Sequence, residues 1–494
     1  MKKNFSLLFI AICSVIGIVA CTDQDDNLNI PAELQVQSFI WKGLNLYYLW
    51  LDDVPDLNDD NFANQFELNS FLATKGTPQN LFQDLLYKPV SKFPTPGVAV
   101  DRFSALVSDY TILENLFQGI STSTGLNFEL LLKEGSETEV FGWVRYVLPN
   151  SSAATNNMQR GMIFSGINGT PLTNSNFRQL LSANSYTLNL ANFAGGAITP
   201  NGVSITLTKT PLNENPVFLT QTYVVGTKKV GYIVYNAFTS NYESQLNAAF
   251  GQLKSANVTH LVLDLRYNGG GSVRTATRLA SMITGQFPNQ IFALEQWNRK
   301  VQNYLLANNP SSLVENFTTT LADGSSINSL NLSKVFILTS RRTASASELV
   351  INGLTPYITV DKIGDKTTGK NVGSITVYDS PNFTATNRNP NHKYAMQPLV
   401  IKTSNKTGFS SYQSGILPNT SLIENLGNLS QLGNIDEPLL ATALQKIANG
   451  ARLSSPNFRT FTDVTDSDII ENPFSNQMYL DKIPAGLEKF LRVD

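Results

Sequence analysis

From 213 to 450 the chain alternates short apolar runs with stretches of helical periodicity, and that alternation narrows the fold most. Residues 230–235, 261–265 and 335–338 are nearly continuous apolar strands, as expected where both faces of a sheet are covered. Between them, Leu246, Ala249, Phe250 and Leu253 recur at i, i+3, i+4, i+7, and Ala276, Leu279, Ala280 and Ile283 form a second helical face. A third helix is predicted over 346–354, with further strands over 358–363 and 374–378. Asp436 is placed as the cap of a helix carrying Leu440, Ala443, Leu444 and Ile447, closed by Gly450. Strands alternating with helices predict an α/β core with parallel crossovers.

Two units precede that core. Residues 35–100 are dense in aromatic and helix-periodic positions, including Phe39, Leu44, Tyr47, Tyr48 and Trp50, and read as a small helical N-terminal domain whose aromatics serve packing. Residues 101–212 carry short alternating runs separated by turn signals such as Asn168-Gly169 and Gly195-Gly196, the pattern of a β-rich module. Within it, Gly125-Leu126-Asn127-Phe128, the turn Pro149-Asn150-Ser151-Ser152-Ala153 and the stretch from Arg160 to Gly169 resemble a PDZ domain. That resemblance implies a loop whose N–H groups hold a peptide carboxylate and a sheet edge to which the peptide adds. A β-module that binds nothing fits the same residues. Residues 451–494 show little periodicity and suggest no function.

Composition removes several classes. Lys plus Arg is 36 and Asp plus Glu 38, which lacks the basic footprint of a nucleic-acid binder. Two histidines exclude a three-histidine zinc site, and two cysteines exclude a disulfide scaffold or a four-cysteine metal site. No metal or other cofactor is expected.

Three segments at predicted strand ends carry chemistry, since such loops are where α/β folds place their sites. In Asp264-Leu265-Arg266-Tyr267-Asn268-Gly269-Gly270-Gly271, three glycines after a buried strand allow close backbone approach to a ligand, although a tight turn alone needs the same residues. In Ser345-Ala346-Ser347-Glu348, the S-x-x-E spacing is a capping box. The same geometry sets Ser345 beside free N–H donors and the positive end of a helix dipole, where an oxyanion is stabilised. In Thr367-Thr368-Gly369-Lys370-Asn371-Val372-Gly373-Ser374, Lys370 lies in a glycine-flanked turn.

Taken in order, these segments resemble the tail-specific, or C-terminal processing, serine peptidases. The resemblance covers about 100–448, includes Asp101-Arg102-Phe103-Ser104, and matches the family in the 25-residue spacing from Ser345 to Lys370. It implies Ser345 as nucleophile and Lys370 as general base. It also implies an oxyanion hole from the Ala346 N–H and a glycine N–H, by resemblance that of Gly270, with protein or peptide substrates. Ser–Lys pairs are a known variant of the catalytic triad. The base must be neutral, so the Lys370 pKa has to fall from about 10.4. Many members carry a Gln four residues after the Lys. Here that position is Ser374, which leaves Ser374 and Glu348 as candidate supporting residues.

Rival chemistries find less. A Ser-His-Asp hydrolase lacks its G-x-S-x-G elbow, with His260 opening a buried strand and His392 in an expected solvated loop. Lys406-Thr407-Gly408 mimics a penicillin-binding motif, but no S-x-x-K accompanies it. A non-catalytic peptide-binding lipoprotein of the same fold remains the reading from another class.

The first residues read as an address. Lys2 and Lys3 precede a mostly apolar stretch over 5–20, too short to span a bilayer and ending in Val19-Ala20-Cys21. An ordinary signal peptide with an incidental cysteine fits. The order also resembles a bacterial lipobox, which implies signal 1–20, lipidation of Cys21, a tether over 21–34, and an outer-membrane lipoprotein in a Gram-negative envelope, periplasmic or surface-exposed.

Overall fold

The computed structural model describes residues 30–95, 97–449, 461–471 and 477–483. The leader, Cys21, most of the tether and Gly450 lie outside the described residues.

Among those residues, the α/β core is built on a six-stranded sheet. Its order is Val217–Val225, Lys228–Tyr235, His260–Asp264, Lys334–Thr339, Thr359–Gly364, Thr420–Ser421, with the first pair antiparallel and the rest parallel. The central strands are apolar throughout because alternate residues feed two cores. Leu261, Leu263, Val335 and Ile337 face the helices Glu243–Ser255, Val273–Thr284 and Ala346–Leu354. Val262, Phe336 and Leu338 face the helix Pro438–Asn449. Fully burying each such side chain contributes about 1.5–3 kcal/mol, so a charge on either face would break the layer. The last helix is capped one residue later than the sequence suggests: Glu437 Oε2 accepts from Leu440 N–H at 2.9 Å, while Asp436 stands outside. The longer side chain reaches the helix end because Arg266 pins its carboxylate.

A second six-stranded sheet runs in the order Gly271–Ser272, Met478–Tyr479, Val372–Ser374, Leu399–Ser404, Ile291–Trp297, Val314–Asn316. The helical N-terminal residues, led by Gln35–Tyr47, pack on it: Phe39, Ile40 and Leu44 share one core with Trp297, Val377, Met396 and Ile401.

The β-rich module orders its strands Asp463–Asp466, Leu126–Leu132, Val140–Val147, Ile163–Ile167, Ser185–Ala194, Ala197–Thr208. Its outer strand comes from the C-terminal stretch that lacks sequence periodicity. That segment contributes one strand to the module and another, Met478–Tyr479, to the core.

Candidate active site

Ser345 begins the helix Ala346–Leu354 in a left-handed conformation, φ 65°, which a side chain adopts only when its surroundings impose it. The surroundings here are two loops. Asn268 accepts from Ala344 N–H (3.1 Å) and from Ser347 Oγ (3.1 Å) through its backbone carbonyl, while its side chain donates to Tyr235 O (2.9 Å). Glu348 Oε2 accepts from the Ser345 N–H at 2.8 Å. Ser345 is fully buried, and its Oγ makes no hydrogen bond among the described residues.

The glycine loop lies directly against this serine. A Cβ on Gly270 would fall 2.6 Å from Ser345 Cβ and 3.1 Å from Ala346 N, so only glycine allows this approach; its φ is 117°. The sequence-proposed oxyanion donors, Ala346 and Gly270, are therefore brought together beside Ser345. The Gly270 N–H itself donates to Asn268 Oδ1 at 2.9 Å.

Lys370 enters from the loop after Thr359–Gly364 and is fully buried. Glu348 fixes this loop as well as the serine turn: it accepts from Lys370 N–H (2.8 Å), Gly369 N–H (2.7 Å) and Thr367 Oγ1 (2.5 Å). Burial raises the Glu348 pKa against those bonds. Burial likewise lowers the Lys370 amine to about 7; the Arg102 charge adds to the depression, and Asp101 and Glu348 oppose it. Nζ sits 4.5 Å from the centre of the Phe103 ring and donates to Gln477 Oε1 at 3.0 Å.

The 101–104 segment is held from both sides. Asp101 accepts from Tyr48 Oη (2.8 Å) and from the N–H groups of Phe103 (3.1 Å) and Ser104 (2.9 Å). Arg102 donates to Gly369 O, and Ser104 Oγ accepts from Leu399 N–H at 3.0 Å. Through these bonds the N-terminal helices brace the wall behind Lys370.

Ser374 does not bond to Lys370: its Oγ donates to Gln397 Oε1 (2.6 Å) and Met478 O (3.2 Å). His260 is half-buried at its strand end, where burial and two lysines lower its pKa. His392 differs from the solvated loop expected for it. It is partly buried, 2.8 Å from Asp379 Oδ2, with its ring 6.3 Å from that of Phe39, because the N-terminal helix covers that turn. Among the described residues no group of three or more metal-ligating side chains converges.

In the module, the loop proposed to hold a carboxylate is engaged internally. Gly125 N–H donates to Ser123 Oγ (3.0 Å), Leu126 N–H to Thr124 Oγ1 (3.4 Å) and Phe128 N–H to Ser467 Oγ (3.0 Å). Asn127 donates through its side chain to Asp468 Oδ1 at 2.7 Å. The strand Asp463–Asp466 runs antiparallel along Leu126–Leu132, pairing Asp466 with Glu129 and Thr465 with Leu130. The chain's own C-terminal segment thus occupies the edge at which an added peptide strand would lie.

Residues 229–392, which hold Ser345, Lys370 and the glycine loop, match the model of peptidase family S41, and residues 35–105 match that of the peptidase S41 N-terminal domain. The chain carries peptidase family S41 domains. Curated relatives of the S41 domain include the chloroplastic C-terminal processing peptidase of Tetradesmus obliquus, 28% identical over 179 residues, 34% of each chain. A carboxyl-terminal-processing protease of a Picosynechococcus species is 26% identical over 167 residues, 34% of this chain and 35% of that one. The chain thus spans about a third of the length of the curated relatives it matches. A crystal structure assigned to the S41 proteases, from Bacteroides fragilis, superposes with a TM-score of 0.64 at 26% identity, covering 83% of this chain and 97% of that one.

Three residues of the S41 site escape sequence reasoning. Asn268 and Phe103 lie inside the motifs that carry the chemistry, but their roles as hub and as aromatic wall need the third dimension. Gln477 lies in a segment with no periodic signal.

Proposed function

We propose that this S41 chain is a serine endopeptidase that cuts peptide bonds through a Ser345–Lys370 dyad and an acyl-enzyme. The observation that carries the reading is a fully buried lysine, lowered to about 7, whose backbone shares one carboxylate with the serine at a helix start. A neutral Lys370 takes the Ser345 proton as Oγ bonds to the substrate carbonyl carbon, and the carbonyl electron pair moves to oxygen. The Ala346 N–H holds that oxyanion, joined by the Gly270 N–H once it turns from Asn268. Collapse breaks the C–N bond, and the Lys370 ammonium gives its proton to the leaving amine. Water then attacks the ester, with Lys370 again the base, and releases the new carboxyl terminus.

The test is intact-mass detection of a serine-reactive phosphonate on the full chain, beside Ser345→Ala and Lys370→Ala. Labelling of wild type alone, rising with pH, is expected. A folded wild type that never labels removes the dyad reading.

The same proposal has the module's 125–128 loop engage the C-terminal region of substrates. Residues 463–466 hold that edge, so an incoming peptide has to displace them. Amidating a peptide's C-terminus is expected to lower kcat/KM, and an unchanged value sinks this part. Lipidation of Cys21, with residence in a Gram-negative outer membrane, completes the reading. Palmitate labelling that survives Cys21→Ala would refute it.

A further inference from the structure

The Lys370 amine needs an orientation as well as a low proton affinity, because its lone pair must meet the Ser345 hydroxyl. One amide near it is built to set that orientation. Gln477 is buried, and its Nε2 donates to Phe103 O at 2.9 Å, which turns Oε1 toward Lys370 Nζ at 3.0 Å. The amide oxygen can accept only an N–H of the amine, so it fixes how the amine is rotated. An uncharged acceptor does this without the ammonium-favouring effect that a carboxylate in the same place would exert.

The backbone of Gln477 is as firmly placed as its side chain. The Met478–Tyr479 strand that follows is inserted between Gly271–Ser272, which leaves the glycine loop, and Val372–Ser374, which leaves Lys370. Ser374 anchors it twice, donating from Oγ to Met478 O and accepting from Leu480 N–H at 3.0 Å. Asp481 accepts from Ser272 Oγ and pairs with Arg274 at 3.2 Å. Tyr479 stacks on Phe117 at 4.2 Å. Ser374 thus secures the strand that carries the amide, and the amide reaches the base.

We propose that Gln477, supplied by the C-terminal segment, is the positioning residue of the dyad, its Oε1 holding the Lys370 amine in register with Ser345 while Phe103 O fixes the amide. The inference rests on the dyad reading. Among the described residues, the charged groups whose fields reach the amine, Asp101, Arg102 and Glu348, lie on other segments and are untouched by changes at 477.

The experiment compares Gln477→Ala and Gln477→Glu with wild type in the full chain, reading phosphonate labelling rate against pH and kcat and KM on a peptide. Gln477→Ala is expected to lower kcat and labelling about 10–100-fold with KM little changed, the scale of a misplaced catalytic group. Gln477→Glu puts a negative charge beside the amine, so the labelling midpoint moves to higher pH and part of the rate returns above it. Asp481→Asn loosens the same strand without touching the amine and leaves the midpoint in place. A labelled wild type whose midpoint is unmoved by Gln477→Glu, or whose kcat survives Gln477→Ala, overturns the proposal. So does a Gln477→Glu variant that behaves like Asp481→Asn. A wild type that does not label overturns the dyad itself, a separate result.

Discussion

The backbone N–H groups of Ser345 and Lys370 donate to the same oxygen, Glu348 Oε2, each at 2.8 Å. The proposed nucleophile and its proposed base come from different loops, and this buried carboxylate ties the two backbones together. Leaving a buried donor unsatisfied costs about 1–3 kcal/mol. Glu348→Ala strips four donors at once. A fall of several kcal/mol in urea-unfolding free energy is expected, together with loss of phosphonate labelling. Stability within about 1 kcal/mol of wild type would refute the bridging role.

The pH dependence of the dyad follows from Lys370. The base works only when neutral, so labelling rises through a midpoint near the lowered value of about 7 and is flat above it. A midpoint near 10 in the wild type would contradict the burial argument.

The same lysine makes a prediction about stability. Its folded pKa lies below its unfolded one, so between about 7 and the ordinary 10.5 the unfolded chain binds more protons and this group's contribution improves as pH rises. Lys370→Met removes the burden of burying an amine. It should abolish labelling yet raise Tm at pH 7, with the gain shrinking toward pH 10. Melting curves across that range check the sign.

Glu424 joins the module to the core. It accepts from Arg160 of the module and, in the core, from Arg266 (3.0 Å) and Tyr267 Oη (2.7 Å); the two arginines hold its pKa down to about 2 against the effect of burial. A depressed carboxylate stabilises the fold above the ordinary carboxylate range, and that contribution fades as pH falls toward 2. Glu424→Gln is expected to cost about 3 kcal/mol at pH 7 and progressively less in acid. Urea titrations at pH 7 and pH 3 measure both.

Ser467→Ala removes the acceptor of the Phe128 N–H at the module's edge. One hydrogen bond of about 1.4 kcal/mol is a factor of ten, so exchange of the Phe128 amide should quicken about tenfold while Val140–Val147 stays protected. Unchanged exchange at Phe128 would show that the C-terminal segment leaves this edge in solution.

The core strands are legible in the sequence because two buried faces leave no room for polar alternation, and Ser345 and Lys370 are singled out by the motifs that resemble the C-terminal processing peptidases. The C-terminal segment is not legible in the same way. Among the described residues its strands are Asp463–Asp466 and Met478–Tyr479, too short to establish a period, and they pair with residues hundreds of positions earlier. Gln477 lies 107 residues from the amine it meets, and nothing local marks it. The Glu437 cap is hidden for a similar reason: its partner Arg266 is distant in sequence and chooses between two adjacent acids.

The late position of the Met478–Tyr479 strand also bears on when the site comes into being. A nascent chain emerges with Ser345 and Lys370 long before Gln477, and the strand that pairs with Gly271–Ser272 and Ser374 is made only after both. A translation product cut short between residues 370 and 477 would carry both members of the proposed dyad yet lack the amide that aims one at the other. Synthesis order alone would then delay completion of the proposed dyad until residue 477 has been added.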